Sequence, residues 1–298
     1  MAPTTFAVAG HPIHGSASPH LFHLVLAHLA RRGVRGVNLD ASTAVRLDVT
    51  SVEEALAAIH AGTVRCDTGL SSAAVEVVHS STSPSEDGAV VGIPSDGALW
   101  LSLTSPLKHD IGAWHHLDDS KAWRSVNTLR VLNGRIEAMS TDGLAVVRIA
   151  RLRGVAVDKG AVLALRGGGG AARSTAQAWI AAGGRVLPIH GRRELQGIPP
   201  ESLARHGAAF GVDVDGGASK LEAPCVLHPA YRLGEPPLAG GRLESDAIDG
   251  RWMLAAQHLE AWSRCWAPDV AAFLPELSRL VADLVTLEAR VDAAWLDP

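Results

Sequence analysis

The sequence predicts an α/β fold of two domains, an N-terminal α/β domain and a Rossmann-type dinucleotide-binding domain. The main observation is the unbroken apolar run Ala161–Leu165, which is followed by the glycines 167–170 and a helical pattern to about Ala182. Arg185–Ile189 is the next predicted strand, so this region has the strand, glycine turn, helix and strand of a parallel βαβ unit. The second observation is the length, since 298 residues are enough for two ordinary domains.

In the rest of the chain, short apolar segments alternate with helical patterns. Ser18-Pro19 predicts a helix start with Ser18 as the N-cap, and Asn133-Gly134 between two extended runs predicts a β-hairpin. Residues 61–98 give no clear pattern apart from a surface loop at 80–88. The other predicted strands are 5–9, 37–39, 45–49, 99–103, 208–214 and 225–227, and the other helices begin after Ser51 and span about 141–152, 245–266 and 271–294.

Composition excludes several classes of function. The formal net charge is −4 and no long basic run occurs, so nucleic acid is not an expected partner. No apolar run approaches the ~20 residues that span a bilayer, and residues 1–10 lack the features of a signal peptide. We therefore expect no membrane partner and a cytoplasmic protein. Cys66, Cys225 and Cys265 fit neither a disulfide framework nor a zinc pattern, and we expect them to be reduced and buried.

The glycine turn is the first candidate site. A pyrophosphate needs backbone N–H groups without obstructing side chains, and the helix N-terminus adds partial positive charge. This predicts a dinucleotide on Gly167, Gly169, Gly170 and Ala171, the alternative being a tight turn that binds nothing.

The end of the following strand bears on which dinucleotide binds. An acidic residue there would hold the ribose of NAD, whereas an arginine would accept the 2′-phosphate of NADP. The sequence has Arg192 and Arg193 and no acidic residue before Glu194. This favours NADP on these arginines, with NAD as the alternative cofactor and two solvated surface arginines as the alternative interpretation.

Three polar segments elsewhere suit a small-molecule site. Lys108 follows a predicted strand end, where a partly buried lysine can exchange a proton with a carbonyl oxygen. Asp142 begins a predicted helix and is either its N-cap or a functional carboxylate. The hydroxyls of Ser16 and Ser18 at a helix start suit a carboxylate ligand, although a plain cap is again the alternative.

Taken together, the motifs resemble those of the shikimate dehydrogenase family, in the same order along most of the chain. The matching segments are Gly10–Pro19 (G-x-P-I-x-H-S-x-S-P in the family), Leu103–Lys108 (V-T-x-P-x-K), Ser125–Thr128 (A-V-N-T), Ser140–Gly143 (N-T-D-G), Gly167–Arg173 (G-A-G-G-A-x-R) and Met253–Gln257 (M-L-x-x-Q). Six motifs in order are more specific than any one of them.

The resemblance implies an NADP-dependent dehydrogenase of the shikimate pathway, which serves aromatic amino acid biosynthesis. Ser16 and Ser18 would hold the carboxylate of a cyclitol, and its ring hydroxyls would contact Thr104, Asn127 and Gln257. Lys108 would relay the proton at the ring oxygen while Asp142 orients it, as 3-dehydroshikimate is reduced. Quinate and amino analogues are alternative substrates.

The resemblance also implies a division of the chain into domains. Residues 1–145, completed by helices at about 246–298, would form the substrate-binding domain, and 146–245 the NADP-binding domain. We expect a monomer or a homodimer.

The chain departs from the family pattern at several positions. Gly15 replaces a histidine, Ser102 and Ser140 replace asparagines, and Arg166 stands at an apolar position. The N-R-T that follows the second strand of the nucleotide domain is degraded at 190–192. The late V-Y-x-P is Val226–Pro229, so that Tyr231 becomes a candidate replacement for the lost tyrosine.

Three other functions compete with this one. The altered motifs suit a non-catalytic or regulatory small-molecule-binding protein on the same fold. A metal site at His11, His14, His20 and His23 is disfavoured, since no paired cysteine or acidic cluster lies nearby. A serine hydrolase lacks support because no G-x-S-x-G segment occurs. We therefore predict no metal.

Overall fold

The structure is a computed structural model that describes residues 5–39, 42–62, 70–81, 98–217 and 220–291. The described residues form two β-sheets flanked by helices, which confirms the predicted two-domain α/β fold. The strands are β1 Thr5–Gly10, β2 Thr43–Asp48, β3 Leu99–Leu103, β4 His115–His116, β5 Thr128–Leu132, β6 Arg135–Met139, β7 Val162–Arg166, β8 Arg185–Ile189, β9 Ala208–Asp213, β10 Val226–Leu227 and β11 Ala247–Ile248. The helices are α1 Ser18–Arg31, α2 Val52–His60, α3 Leu70–Ser81, α4 Ser120–Trp123, α5 Asp142–Leu152, α6 Gly170–Ala181, α7 Gly250–Ala261 and α8 Leu277–Arg290.

The N-terminal sheet is mixed, with strand order β2-β1-β3-β5-β6-β4. β1 pairs in parallel with β2 and β3, whereas β3, β5 and β6 pair antiparallel. The predicted hairpin is confirmed, since Leu132 pairs with Arg135 around a turn in which Asn133 and Gly134 have φ of 50° and 75°. Positive φ at both positions is what a type I′ hairpin turn requires.

The second sheet is wholly parallel, with the order β11-β10-β9-β7-β8. Every residue of β7 is buried, as expected of a central strand with an unbroken apolar run. The glycine turn connects β7 to α6, and β8 follows α6, so the predicted βαβ unit is confirmed. Because parallel strands end at one edge, the turns after β7, β8 and β9 lie side by side.

The helices cover both sheets and join them. α5 packs against α6 and α7, and α8 packs against α1 and α3. These contacts put the C-terminal helices beside the N-terminal half of the chain. The domain division, with boundaries near residues 145 and 245, stays a prediction.

Several local predictions were wrong. Ala17, not Ser18, is the N-cap of α1 and no side chain caps that helix. Residues 37–39 form no strand, and α3 occupies 70–81, where no helix was predicted. The predicted loop at 80–88 lies outside the described residues from 82 onward. The helix expected at 271–294 begins only at Leu277, because 268–273 form a 3₁₀ segment.

Candidate active site

Lys108 and Asp142 form a close ion pair beyond the ends of β3 and β6. The Lys108 Nζ atom lies 2.9 Å from Oδ1 and 2.8 Å from Oδ2 of Asp142. Lys108 is on a 3₁₀ turn just after β3 and is 20% exposed, whereas Asp142 is fully buried. The ammonium therefore has one face on the carboxylate and one toward solvent, where a ligand can reach it.

Further donors fix the Asp142 carboxylate. Its Oδ1 accepts hydrogen bonds from Asn127 Nδ2 at 3.0 Å and from Gln257 Nε2. Asn127 Oδ1 in turn accepts from the Thr141 backbone N–H at 2.8 Å. A buried carboxylate with this many donors is satisfied as an anion.

The start of α5 explains how Asp142 is placed. Thr141 is the N-cap and Asp142 the first helical residue, so Asp142 is not the cap itself. An acidic residue in the first turn is stabilised by the helix dipole. The next residue, Gly143, donates its N–H to Ser174 Oγ of α6 at 3.0 Å, and a Cβ at this position would collide with the Ser174 backbone. Glycine therefore lets α5 and α6 approach closely at the site.

A cavity of about 420 Å³ opens in front of Lys108. Its lining includes four of the predicted ligand residues, Ser16, Ser18, Thr104 and Gln257, together with Ala171 of α6. The fifth, Asn127, is 3% exposed and lies behind Lys108, with its amide engaged by Thr141 and Asp142. The structure thus gives Asn127 a position beside the carboxylate, and its predicted contact with a substrate hydroxyl stays a prediction.

Ser16 and Ser18 lie at the N-terminal end of α1. Ser18 is 1% exposed, and its Oγ has no hydrogen-bond partner among the described residues. An unpartnered buried hydroxyl on a cavity wall is a ready contact for a polar ligand. The Ser16 carbonyl accepts from Arg46 Nε at 3.2 Å and Nη2 at 3.0 Å, which brings a guanidinium to the same loop.

Tyr231 also lines this cavity. Its hydroxyl accepts the Ala17 N–H at 3.0 Å, and its ring lies 5.7 Å from the guanidinium carbon of Arg251. Burial raises the pKa of Tyr231, so the phenol stays protonated. The tyrosine that we named as a replacement for the family's lost tyrosine therefore holds the loop between the two serines.

The glycine turn leads directly into α6. Gly169 is the N-cap, and a Cβ there would meet nothing, whereas Gly167 has φ of 126°, which favours glycine. Ala171 lines the cavity, so the N-terminal turn of α6, the positive end of its dipole, borders the same cavity as Lys108. The four predicted cofactor residues of the turn are thus contiguous with the site, and their binding role stays a prediction.

Arg192 and Arg193, both predicted to bind the cofactor, have different surroundings. The backbone N–H of Arg192 donates to Asp215 Oδ2 at 2.6 Å, and its Nη2 lies 3.3 Å from Asp215 Oδ1. Arg193 lines a separate cleft. The backbone of 193–194 also packs against Gly168, where any Cβ would collide with the Glu194 carbonyl. At Gly168 the missing side chain makes room for the protein's own chain.

Arg166 has a partner that the sequence did not reveal. Its Nη1 donates to Asp213 Oδ2 at 2.7 Å, and both side chains are almost fully buried. Asp213 Oδ1 accepts the Gly216 N–H at 2.9 Å. The registry of two parallel strands places Arg166 opposite Asp213, so the ion pair follows from the order of strands rather than from local sequence.

Among the described residues the remaining candidates form no metal site, although His14 lines the cavity in front of Lys108. His11 and His14 contact Asp48, whereas His20 and His23 are buried, and burial lowers their pKa values to about 3 and about 4. In the described part of the chain no three metal-ligating side chains converge. Cys225 and Cys265 are buried free thiols, and Cys66 lies outside the described residues. None of the described helices combines the length and apolarity needed to cross a membrane.

The glycine turn meets the local requirements for a dinucleotide in two respects. It precedes a helix N-terminus whose first amides are free of intrahelical partners, and the hydroxyl of the buried Ser125 beside Gly170 has no partner among the described residues. The contact of 193–194 with Gly168 narrows the space on the other side of the turn. The turn and the first residues of α6 therefore suit a dinucleotide, and its binding here stays a prediction.

Sequence comparison connects the chain to curated shikimate dehydrogenases. It is 32% identical over 192 residues to the NADP(+) shikimate dehydrogenase of Anaeromyxobacter sp. strain Fw109-5, covering 59% of this chain and 68% of that protein. It is 30% identical over 184 residues to the same enzyme of Chromohalobacter salexigens, covering 58% and 66%. The chain thus spans about two thirds of each relative's length. No protein-family model matches it.

Solved structures share the whole fold. The shikimate 5-dehydrogenase of Thermus thermophilus, in complex with NADP(H) and shikimate, superposes with a TM-score of 0.61 at 22% identity, covering 96% of this chain and all of that one. The 5-ketofructose reductase of Gluconobacter sp. strain CHM43 superposes with a TM-score of 0.56 at 14% identity, covering 96% and 99%. At identities of 14% and 22%, these structures establish only the fold, whereas the sequence relatives establish the family. The chain belongs to the shikimate dehydrogenase family.

Proposed function

We propose that this protein is an NADP-linked oxidoreductase that reversibly reduces the ring ketone of 3-dehydroshikimate or a close carboxylated analogue of the quinate or aminoshikimate type. The observation that carries the proposal is the Lys108–Asp142 pair, which lies on a cavity shared with the N-terminus of α6. The curated relatives are named as NADP(+) shikimate dehydrogenases. NAD is the alternative cofactor.

In this proposal, some residues of the cavity bind the substrate and others transfer the proton. The hydroxyls of Ser16 and Ser18 hold the substrate carboxylate, within reach of the positive field of Arg46. Thr104 and Gln257, which line the same cavity, contact ring hydroxyls. A cavity of about 420 Å³ lies within the usual range of small-ligand sites.

Lys108 acts as the general acid in reduction and the general base in oxidation. Its Nζ donates a proton to the ketone oxygen as negative charge develops there, and Asp142 keeps the ammonium oriented. Asn127 and Gln257 hold the carboxylate still during the transfer. The nicotinamide, when bound on the glycine turn, supplies or accepts the hydride.

The test is turnover of 3-dehydroshikimate by NADPH, followed by absorbance. Lys108→Met should lower kcat about 10²- to 10⁴-fold, the usual contribution of a positioned acid, while calorimetry shows that shikimate still binds. Lys159→Met is the matched control, because Lys159 is exposed and does not line the cavity. Unchanged turnover of every tested cyclitol in Lys108→Met would rule out this mechanism.

A second candidate function is a non-catalytic binding protein on the same fold. The observation that favours it is the packing of 193–194 against Gly168, which fills part of the space beside the glycine turn. Titration with NADPH and NADH separates the two functions, because a binding protein without redox chemistry need bind neither. Oligomeric state, monomer or homodimer, stays a prediction.

A further inference from the structure

The N-cap residue of α5, the helix that carries Asp142, does not cap that helix with its side chain. This residue is Thr141, and its hydroxyl accepts a hydrogen bond from Asn127 Nδ2 at 3.0 Å instead of binding an amide of the helix. The first four amides of an α-helix have no acceptor within the helix. The amides beside Asp142 therefore depend on acceptors from other parts of the fold.

Ser174 of α6 supplies one of these acceptors. Its Oγ accepts the Gly143 N–H at 3.0 Å and also accepts a hydrogen bond from the Ser140 hydroxyl at 2.8 Å. The two donors lie on either side of Asp142, because Ser140 precedes it by two positions and Gly143 follows it directly. One hydroxyl of α6 thus holds both ends of the short segment 140–143 that carries the carboxylate.

Ser174 holds this segment from outside the substrate cavity. Ser140 and Ser174 are almost fully buried, with 2% and 1% of their surfaces exposed, and neither lines the cavity in front of Lys108. Ser174 can therefore affect the reaction only through the residues that it holds. Removing its hydroxyl leaves the buried Gly143 N–H without its acceptor, and an unpaired buried donor costs more than the loss of an exposed hydrogen bond.

Ser174 belongs to the helix that begins at the glycine turn. α6 has Gly169 as its N-cap and Gly170 as its first residue, so Ser174 lies about one helical turn beyond the residues predicted to hold the dinucleotide. The close approach of α5 and α6 at Gly143 brings the two helices together at this point. A movement of α6 therefore moves the acceptor of the Gly143 N–H, one residue from Asp142.

We propose that Ser174 is a positioning residue for the proton transfer, which fixes the start of α5 so that the Asp142 carboxylate stays 2.8 and 2.9 Å from Lys108 Nζ. This rests on the proposed function, since it concerns the same ion pair. It also connects the two parts of the site. The helix whose N-terminus borders the cavity is the helix that holds the segment with the carboxylate.

The test compares Ser174→Ala with Thr175→Val, a matched control. Thr175 is the next residue of α6, it is fully buried, and its hydroxyl has no partner among the described residues. In reduction of 3-dehydroshikimate at saturating NADPH, Ser174→Ala should lower kcat about 3- to 10-fold, the effect of one hydrogen bond. KM for the ketone should change by less than about twofold, because the residues proposed to bind it keep their places. Thr175→Val should retain the wild-type kcat.

A second measurement does not depend on turnover. Amide hydrogen exchange followed by mass spectrometry should be faster in a peptide covering 140–147 of Ser174→Ala and unchanged there in Thr175→Val.

A wild-type kcat in Ser174→Ala, or an equal fall of kcat in Thr175→Val, would overturn the proposal. A loss confined to KM or to the urea midpoint would also overturn it, since either would mark a purely structural role. If the wild type turns over no cyclitol while the exchange result holds, the proposed function fails. A wild type that is active and no faster than Ser174→Ala refutes this inference alone.

Discussion

Acidification should destabilise this protein through three buried histidines near the N-terminal sheet. Burial lowers the pKa of His20 and His258 to about 3 and that of His23 to about 4. Neither ring nitrogen of His23 or His258 has a hydrogen-bond partner among the described residues. All three are therefore neutral in the folded state, and each gains a proton near its ordinary pKa of 6.5 once the chain unfolds.

The sign and size of the effect follow from these pKa values. A histidine with a lowered pKa gives full stability above pH 6.5 and loses it as the pH falls toward the folded-state value. Between pH 7 and pH 5, the linkage relation gives a loss of about 2 kcal/mol for each histidine, or about 6 kcal/mol for all three. That is comparable to the whole unfolding free energy of many domains, about 5–15 kcal/mol.

The assay is urea unfolding followed by tryptophan fluorescence at pH 7, 6 and 5. The reporters lie beside the perturbation, because His258 contacts the rings of Phe6 and Trp266 with centroids 5.6 Å apart. His258→Phe keeps an aromatic ring there and should reduce the loss between pH 7 and pH 5 by about 2 kcal/mol. His206→Gln, at an exposed position, should leave the loss unchanged.

The reasoning would be refuted by a wild-type loss below about 1 kcal/mol between pH 7 and pH 5. It would equally be refuted if His258→Phe and wild type lost the same amount. Either result would mean that the buried rings find proton acceptors or open to solvent before the chain unfolds.

Three further predictions concern the candidate site and the residues that pack around it. Arg166→Met should cost about 3–5 kcal/mol of unfolding free energy, because it leaves Asp213 buried without its cation. Adding Asp213→Asn should recover most of that loss. Urea unfolding of the single and double variants measures both effects, and a double variant as unstable as Arg166→Met would contradict the prediction. Gly143→Ala should cost about 1–3 kcal/mol because its methyl overlaps α6, whereas Gly169→Ala has open space and should cost much less by the same measurement. Ser18→Ala should weaken shikimate binding about 10- to 100-fold in calorimetry at unchanged stability, since its hydroxyl has no partner in the described chain to lose; full affinity would exclude Ser18 from carboxylate binding.

Local patterns were enough to predict the architecture around the site. The βαβ unit followed from the apolar run of β7 and the glycines after it, because a buried parallel strand and a glycine-rich turn before a helix have distinctive compositions. The hairpin followed from Asn133-Gly134, whose positive φ values few other residues adopt. In contrast, α3 was missed, and the N-cap of α1 was misplaced by one residue.

The sequence by itself determined which residues are candidates for the chemistry, Lys108 and Asp142 among them, because motif and residue type are local properties. Only the tertiary structure decided how they meet. Lys108 and Asp142 are 34 positions apart, and Gln257 reaches the same carboxylate across 115 positions. The partnership of Arg166 with Asp213 likewise depends on which strands are neighbours in the sheet. Side-chain distances of this kind are set by packing between remote segments, and no periodicity or turn signal within one segment contains them.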